Sequence, residues 1–366
     1  MEAASASARW PIRPGHAPAA SQLRHAAGAS SHFLLTLPVL ARWDQATQTG
    51  MGPMNQVEIL EVAPRDGFQA VKPFIPTETK IALIEQLAGC GFKRLEIGSF
   101  VSPKAIPQLA DTGEILRRAR LPKDLRIQVL VPNAKGLEMA LAAGVREIIW
   151  VISVSESHNR ANVNRSVDES FRAFEAVWAG LGHDKPKLRL GLSTCFDCPW
   201  EGRIPEERVF RLVERTIAAA PEVEIAICDT TGRASPDHVG SLFGRLIPRY
   251  DSPSVTFAYH GHDTYGLGVA NALEAYRQGV RTIDGAAGGL GGCPFAPGAA
   301  GNTASEDLVF AFEHMGIATG IDFGKLLKAA DAVSRVAPEQ AGGKVRIVPR
   351  PRALAGFGAA THRVGA

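Results

Sequence analysis

From Val57 to about Val336 one rhythm repeats: a short run rich in Val and Ile ends in polar residues, and a stretch of helical apolar period follows. The strand candidates are Val57–Val62, Arg94–Gly98, Arg126–Val131, Glu147–Val154, Leu188–Ser193, Glu224–Cys228, Ser254–Tyr259 and Thr282–Asp284. Between them, Thr77–Ala88 reads as a helix that Thr77 should cap, with Glu78 favouring its positive end. Ser166 and Glu169 have the spacing of a capping box, and Pro205 and Pro236 suit first helical positions. Strands alternating with helices imply a parallel sheet, and eight such units imply closure into a (β/α)8 TIM barrel with a helical extension over Phe323–Val336. The alternative is an open doubly wound sheet. It is disfavoured because Ala63-Pro64-Arg65-Asp66-Gly67, after the first strand, holds one glycine where the phosphate-binding fingerprint of that fold needs three.

The barrel is expected over residues 54–336, flanked by a disordered extension at 1–53 and a flexible tail at 337–366. Residues 1–50 contain Arg9, Arg13, Arg24 and Arg42, no lysine, and only Glu2 and Asp44 as acids. Two readings stand: a mitochondrial transit peptide, or a start codon set upstream of Met51 or Met54, which would leave a cytoplasmic protein. The whole chain has 40 Lys+Arg and 37 Asp+Glu, a net +3, too little field for a nucleic-acid partner held by bulk charge. No apolar run approaches the roughly 18 residues of a membrane span. Five scattered cysteines do not make the disulfide framework of a small secreted protein.

Barrel chemistry gathers at the C-terminal ends of strands, and the residues there are polar. The first strand leads to Arg65-Asp66, the second holds Glu96, the third ends at Asn133, and the seventh runs into His260-Gly261-His262-Asp263. Alternate strand residues face one way, so both imidazoles should converge on the barrel mouth as divalent-metal ligands. A carboxylate such as Asp66 and an amide such as Asn302 would complete a mixed N/O shell suited to Mg2+ or Mn2+ rather than structural zinc. Asn133 and Asp229 could equally begin loops. The stretch Gly285–Gly301 has seven glycines in seventeen residues and one cysteine, Cys293, which makes it a candidate lid with a proton-transferring thiol. Cys195 and Cys198 form a lone CxxC, read as packing in a substrate-side loop; Cys90 and Cys228 read as buried and unreactive, and Met139 and Phe310 as core. No lysine falls within the strand candidates, which disfavours Schiff-base chemistry.

At these positions the sequence resembles the hydroxymethylglutaryl-CoA lyase family of metal-dependent barrel lyases. The resemblance runs through Glu61–Gly67 (EVAPRDG), Glu96 with Ser99–Asp111, Val131–Gly136 (VPNAKG), Ser155–Ser166, Cys198–Gly202 (CPWEG), Asp229–Gly232 (DTTG), His260–Gly266 (HGHDTYG) and Gly289–Asn302. It implies cleavage of 3-hydroxy-3-methylglutaryl-CoA to acetyl-CoA and acetoacetate, with Asp66, His260, His262 and Asn302 on a divalent metal. It further implies Arg65 polarising the thioester oxygen, Cys293 as lid acid/base, Glu96 supporting proton transfer, and His260 serving as base as well as ligand. Arg65, Gln69 and Asn133 are expected on the substrate side, and a homo-oligomer of a dimer or more is expected with an acyl-CoA as the small-molecule partner. The family's RDGLQNE is RDGFQAV here, and Phe68 is expected beside the acyl pocket, so the particular 3-hydroxyacyl thioester stays open.

Two other functions compete. A condensing enzyme akin to the 2-isopropylmalate or homocitrate synthases usually begins with a DRE-type motif and carries an added domain, whereas this chain has RDG and little room after Val336. A non-catalytic acyl-CoA-binding barrel would tolerate loss of the metal ligands, yet all four candidates are present, with Cys293.

Overall fold

Eight parallel strands close on themselves in chain order, each hydrogen-bonded to its sequence neighbours and the last to the first. The computed structural model describes residues 55–182, 185–292 and 301–357. The strands are β1 (Glu58–Glu61), β2 (Arg94–Ser99), β3 (Arg126–Leu130), β4 (Glu147–Ser153), β5 (Lys187–Ser193), β6 (Val223–Asp229), β7 (Val255–Gly261) and β8 (Thr282–Gly285). Closure is set by the pairing of β1 with β8, Glu58 opposite Thr282 through Glu61 opposite Gly285. The expected (β/α)8 barrel is therefore what the chain forms, each strand within two residues of its expected bounds. Lys187 does lie on β5, but at its exposed N-terminal end, opposite the face where barrel chemistry gathers.

The helices are α1 (Thr77–Ala88), α2 (Thr112–Arg118), α3 (Ala134–Ala142), α4 (Glu156–Val163), α5 (Val167–Ala179), α6 (Glu206–Ala219), α7 (Pro236–Tyr250), α8 (Gly268–Arg277), α9 (Ser305–His314) and α10 (Phe323–Ser334). The capping box at Ser166 is complete, its hydroxyl accepting from Glu169 N–H while the Glu169 carboxylate returns to the Ser166 backbone. Pro236 opens α7, and Pro205 sits one position before α6. Thr77 does not cap α1: Pro76 holds the cap position, and the Thr77 hydroxyl donates to Asp111 at 2.9 Å. Met139 is not core. The buried stripe of α3 is Gly136, Leu137 and Ala140, and Met139, on the opposite face, is exposed. Phe310 packs on the core as expected.

Residues 337–357 of the expected tail bond back to the barrel, and 358–366 lie outside the described residues. Gly342 N–H donates to Gly288 O at 2.8 Å, and the Asp307 carboxylate accepts from Lys344 N–H at 2.8 Å and Val345 N–H at 2.7 Å. Arg350, in a last short helix α11 (Arg350–Ala353), pairs with Asp331 and donates to Leu327 O at 3.1 Å. The Arg350 guanidinium thus satisfies a local carboxylate and a carbonyl, which the Gly/Pro-broken sequence did not reveal.

The two sides of the sheet differ. Ile59, Leu95, Ile97, Val129, Leu190, Ile225, Ile227, Phe257 and Ile283 belong to one continuous buried apolar core. Several alternate positions hold ions instead, while Ala226, Cys228 and Ala258 form a small separate apolar cluster. The Arg94 fork on β2 donates to both oxygens of Glu224 on β6, at 2.9 and 3.0 Å. These strands stand on opposite sides of an eight-membered ring, so the pair crosses the lumen. Among the described residues, no helix is long and apolar enough to cross a membrane.

Candidate functional site

Arg65 and Asp66 leave β1 on a tight five-residue turn of π type, Ala63–Gly67, in which Asp66 N–H and Gly67 N–H both return to Val62 O. Such turns recur where a helix must aim side chains at a site. Both side chains are buried at the barrel mouth. The Arg65 fork donates to Glu96 on β2, Nε to Oε1 at 2.7 Å and Nη2 to Oε2 at 3.0 Å, while Nη1 pairs with Asp66. A planar guanidinium gripped on two sides has one orientation.

The two histidines arrive from β7. His260 lies on the strand and His262 just past its end, ring centroids 5.3 Å apart. Gly261 between them is required by space: a Cβ there would lie 2.5 Å from the Tyr259 hydroxyl oxygen. Nε2 of His260 and Nε2 of His262 approach the same oxygen, Asp66 Oδ2, at 3.9 and 3.8 Å. Asn302 reaches it as well, its Nδ2 at 2.8 Å, brought there by a backbone bridge between Asn302 and His262. Gln69 Nε2 donates to the other oxygen, Asp66 Oδ1, at 2.7 Å.

This donor set fits a divalent cation. Asp66, His260 and His262 each offer one ligand atom, all within 4.8 Å of one another. Among the described residues the buried Asn302 Oδ1 has no hydrogen-bond partner, and rotating the amide would turn that oxygen toward the same point at the cost of the 2.9 Å bond from Nδ2 to Leu290 O. The charge states of Asp66 and His262 agree with this. Burial opposes ionisation of Asp66, but Arg65 and then the two imidazoles hold its carboxyl well below the usual range. Burial, helped by the charge of His260, pushes the His262 ring down to about 4, keeping it neutral as a ligand must be. Burial also lowers the His260 pKa, yet Asp284 and then Asp66 outweigh it and the net direction is up. The Glu96 carboxyl is driven up by burial even beside Arg65.

Of the residues expected from sequence, Arg65, Asp66, Gln69, Glu96, His260, His262 and Asn302 come together in one cluster. Cys293 lies outside the described residues. Asn133 stands apart: it is exposed at the start of α3, where its Oδ1 accepts from Gly136 N–H at 3.0 Å. Asp229 is buried as a turn former, accepting from Arg233 and Ala234 N–H at 3.1 Å each, and burial raises it to about 6. Phe68 is fully buried in the apolar core. Cys90, Cys195, Cys198 and Cys228 are free and buried, and burial pushes the Cys90 and Cys195 thiols up to about 12.

Sequence reasoning missed Asp284, on β8, whose Oδ2 lies 3.0 Å from His260 Nδ1 and whose two oxygens both accept from Arg189 Nη2 at 2.7 Å. Its signal was present: an acid one residue before the end of the last strand, at the same height as the mouth residues of the others.

The family model described as HMGL-like matches residues 56–333. The Bacillus subtilis hydroxymethylglutaryl-CoA lyase YngG is 42% identical over 276 residues, 75% of this chain and 91% of the relative. An (R)-citramalyl-CoA lyase of Chloroflexus aurantiacus is 40% identical over 291 residues, 77% of this chain and 91% of the relative. The solved structure of an HMG-CoA lyase from Acinetobacter baumannii, in complex with coenzyme A and 3-methylmalate, superposes with a TM-score of 0.75 at 37% identity, covering 87% of this chain and 100% of that one. With a closed barrel, a cluster of cation ligands at its mouth and these matches along nearly the whole barrel, the chain belongs to the HMGL-like family of lyases.

Proposed function

We propose that the protein cleaves 3-hydroxy-3-methylglutaryl-CoA into acetyl-CoA and acetoacetate with the help of Mg2+ or Mn2+. The observation that carries this reading is the approach of both imidazole Nε2 atoms to Asp66 Oδ2, with the buried Arg65 guanidinium alongside. A cation held by Asp66, His260, His262 and Asn302 would supply Lewis acidity toward the substrate's hydroxyl and carboxylate oxygens. Cleavage removes the proton of the tertiary hydroxyl, turns that carbon into the ketone of acetoacetate, and leaves the bonding pair on the acetyl thioester as an enolate. His260 would be the base through Nε2 when that nitrogen is not engaged by the cation, its Nδ1 staying turned to Asp284. Arg65, fixed in plane by Glu96, directs N–H groups and charge at the enolate oxygen. The carbanion carbon then takes a proton, a step assigned to Cys293 on the glycine-rich segment. Gln69 holds the Asp66 carboxylate in orientation at the substrate side.

A second reading has its own support in the Chloroflexus relative, a citramalyl-CoA lyase. Citramalyl-CoA has the same hydroxyl and methyl on the carbon that becomes a ketone, with one methylene fewer before the carboxylate, and would yield acetyl-CoA and pyruvate. The test is a paired assay of purified full-length protein with each thioester, with Mn2+ and with EDTA. Acetoacetate formed from the glutaryl substrate, abolished by EDTA and exceeding pyruvate formation in kcat/KM, is the expected result. Pyruvate formation with the higher kcat/KM transfers the assignment to the shorter acid, and activity undiminished by EDTA removes the metal role.

A further inference from the structure

The two imidazoles of the site are not held alike. Among the described residues the buried Nδ1 of His262 has no hydrogen-bond partner, whereas Nδ1 of His260 faces the Asp284 carboxylate. Asp284 is in turn locked from behind. Arg189 Nη2 lies 2.7 Å from each of its oxygens, and Arg189 Nη1 lies 3.1 Å from Glu224 Oε1. Glu224 receives the Arg94 fork, and Arg94 Nε donates to Glu58 at 3.0 Å. Charges of alternating sign thus run through the lumen from Glu58, on the first strand, up to His260 at the mouth. Each ion lies between two of opposite sign, so none can swing away without leaving a buried charge bare.

We propose that Asp284 is a positioning residue for the metal centre: it takes the His260 Nδ1–H, fixing the tautomer whose bare Nε2 faces Asp66, and the Arg94–Glu224–Arg189 column sets where Asp284 stands. A carboxylate behind a ligating imidazole fixes both ring orientation and tautomer. This inference rests on the cation reading of the same four ligands, but it makes a claim about one nitrogen that can be read without any metal.

The experiment uses the full chain with 15N-labelled histidine, metal-free and at alkaline pH where the rings are neutral, the His260 signals being assigned by their loss in His260→Gln. The wild-type protein should carry the His260 proton on Nδ1. Asp284→Asn keeps an accepting oxygen and should keep that tautomer. The double variant Arg189→Met/Asp284→Leu removes both charges together and should show His260 in mixed tautomers. Mn2+ titration of the same proteins should give an affinity about 10–100-fold weaker in the double variant, with Asp284→Asn in between. A wild-type His260 proton on Nε2 overturns the proposal. So does a folded double variant with wild-type tautomer and wild-type Mn2+ affinity. If the double variant does not fold, Asp284→Asn decides: a proton moved to Nε2 there, with Mn2+ affinity unchanged, overturns it. Should Mn2+ fail to bind the wild-type protein at all, the cation reading is what falls, and the tautomer measurement still judges Asp284.

Discussion

Arg65 illustrates what a single side chain contributes here. Its charge alone would be supplied by lysine, but its flat fork, held by both Glu96 oxygens, would not. Arg65→Lys is expected to lower kcat for thioester cleavage by about 10²–10³ while leaving the circular dichroism spectrum unchanged; a variant with wild-type kcat would contradict the role given to the fork. Glu306 makes a different prediction, about pH. Its Oε2 accepts from Gly288 N–H at 3.0 Å, its buried Oε1 has no partner among the described residues, and burial pushes the carboxyl up from 4.5 to about 8. A group with a raised folded pKa takes up a proton on folding. Its stabilising effect is therefore complete below 4.5 and is lost as the pH climbs toward about 8. Tm should fall across that window, and Glu306→Gln should flatten the fall; an equally steep slope in the variant would refute the assignment. At this scale the sequence showed residue type and order but not partners. Arg65, Asp66, Glu96, His260 and His262 could be placed because each lies on or just after a strand, and Asn302 through the family resemblance; Asp284, though one residue from the end of the last strand, was passed over because its importance comes from Arg189 on a strand three places away around the ring.

Elements were legible where one local interaction decides them. Ser166 with Glu169 is such a case, and Ser166→Ala should cost about 0.5–2 kcal/mol, read as a lower Tm with unchanged cleavage activity, because α5 packs on β4, α4 and α6. Loss of activity without loss of Tm would show that α5 does more than pack. Thr77 was misread because its hydroxyl had two uses, and the distant carboxylate of Asp111 took it from the helix start. The π turn at Ala63–Gly67 was unreadable for a related reason: Arg65-Asp66 looked like a strand's polar end, and only closure against β8 and the segment after it tightens the chain there. Met139 shows the limit of residue type as a guide, since a single apolar side chain says nothing of which face of α3 it occupies.

For the whole molecule, the strand–helix alternation was enough to give a closed barrel, because eight repeats leave a parallel sheet no better way to cover its edges. The polar lumen was less visible: alternate ions such as Arg94, Arg189 and Glu224 look surface-bound along a sequence until the ring closes and places them across from one another. The tail escaped notice likewise, its anchors on Gly288 and Asp307 lying far back along the chain. Both the barrel and its charged lumen converge on the one point between Asp66, His260, His262 and Asn302. Anomalous diffraction from crystals of chelator-stripped protein soaked in Mn2+ tests that convergence most directly. The expected map has a manganese peak bounded by those four side chains, with the Asn302 amide turned to present Oδ1. A strong peak elsewhere, or none with both rings still facing Asp66, would contradict the account.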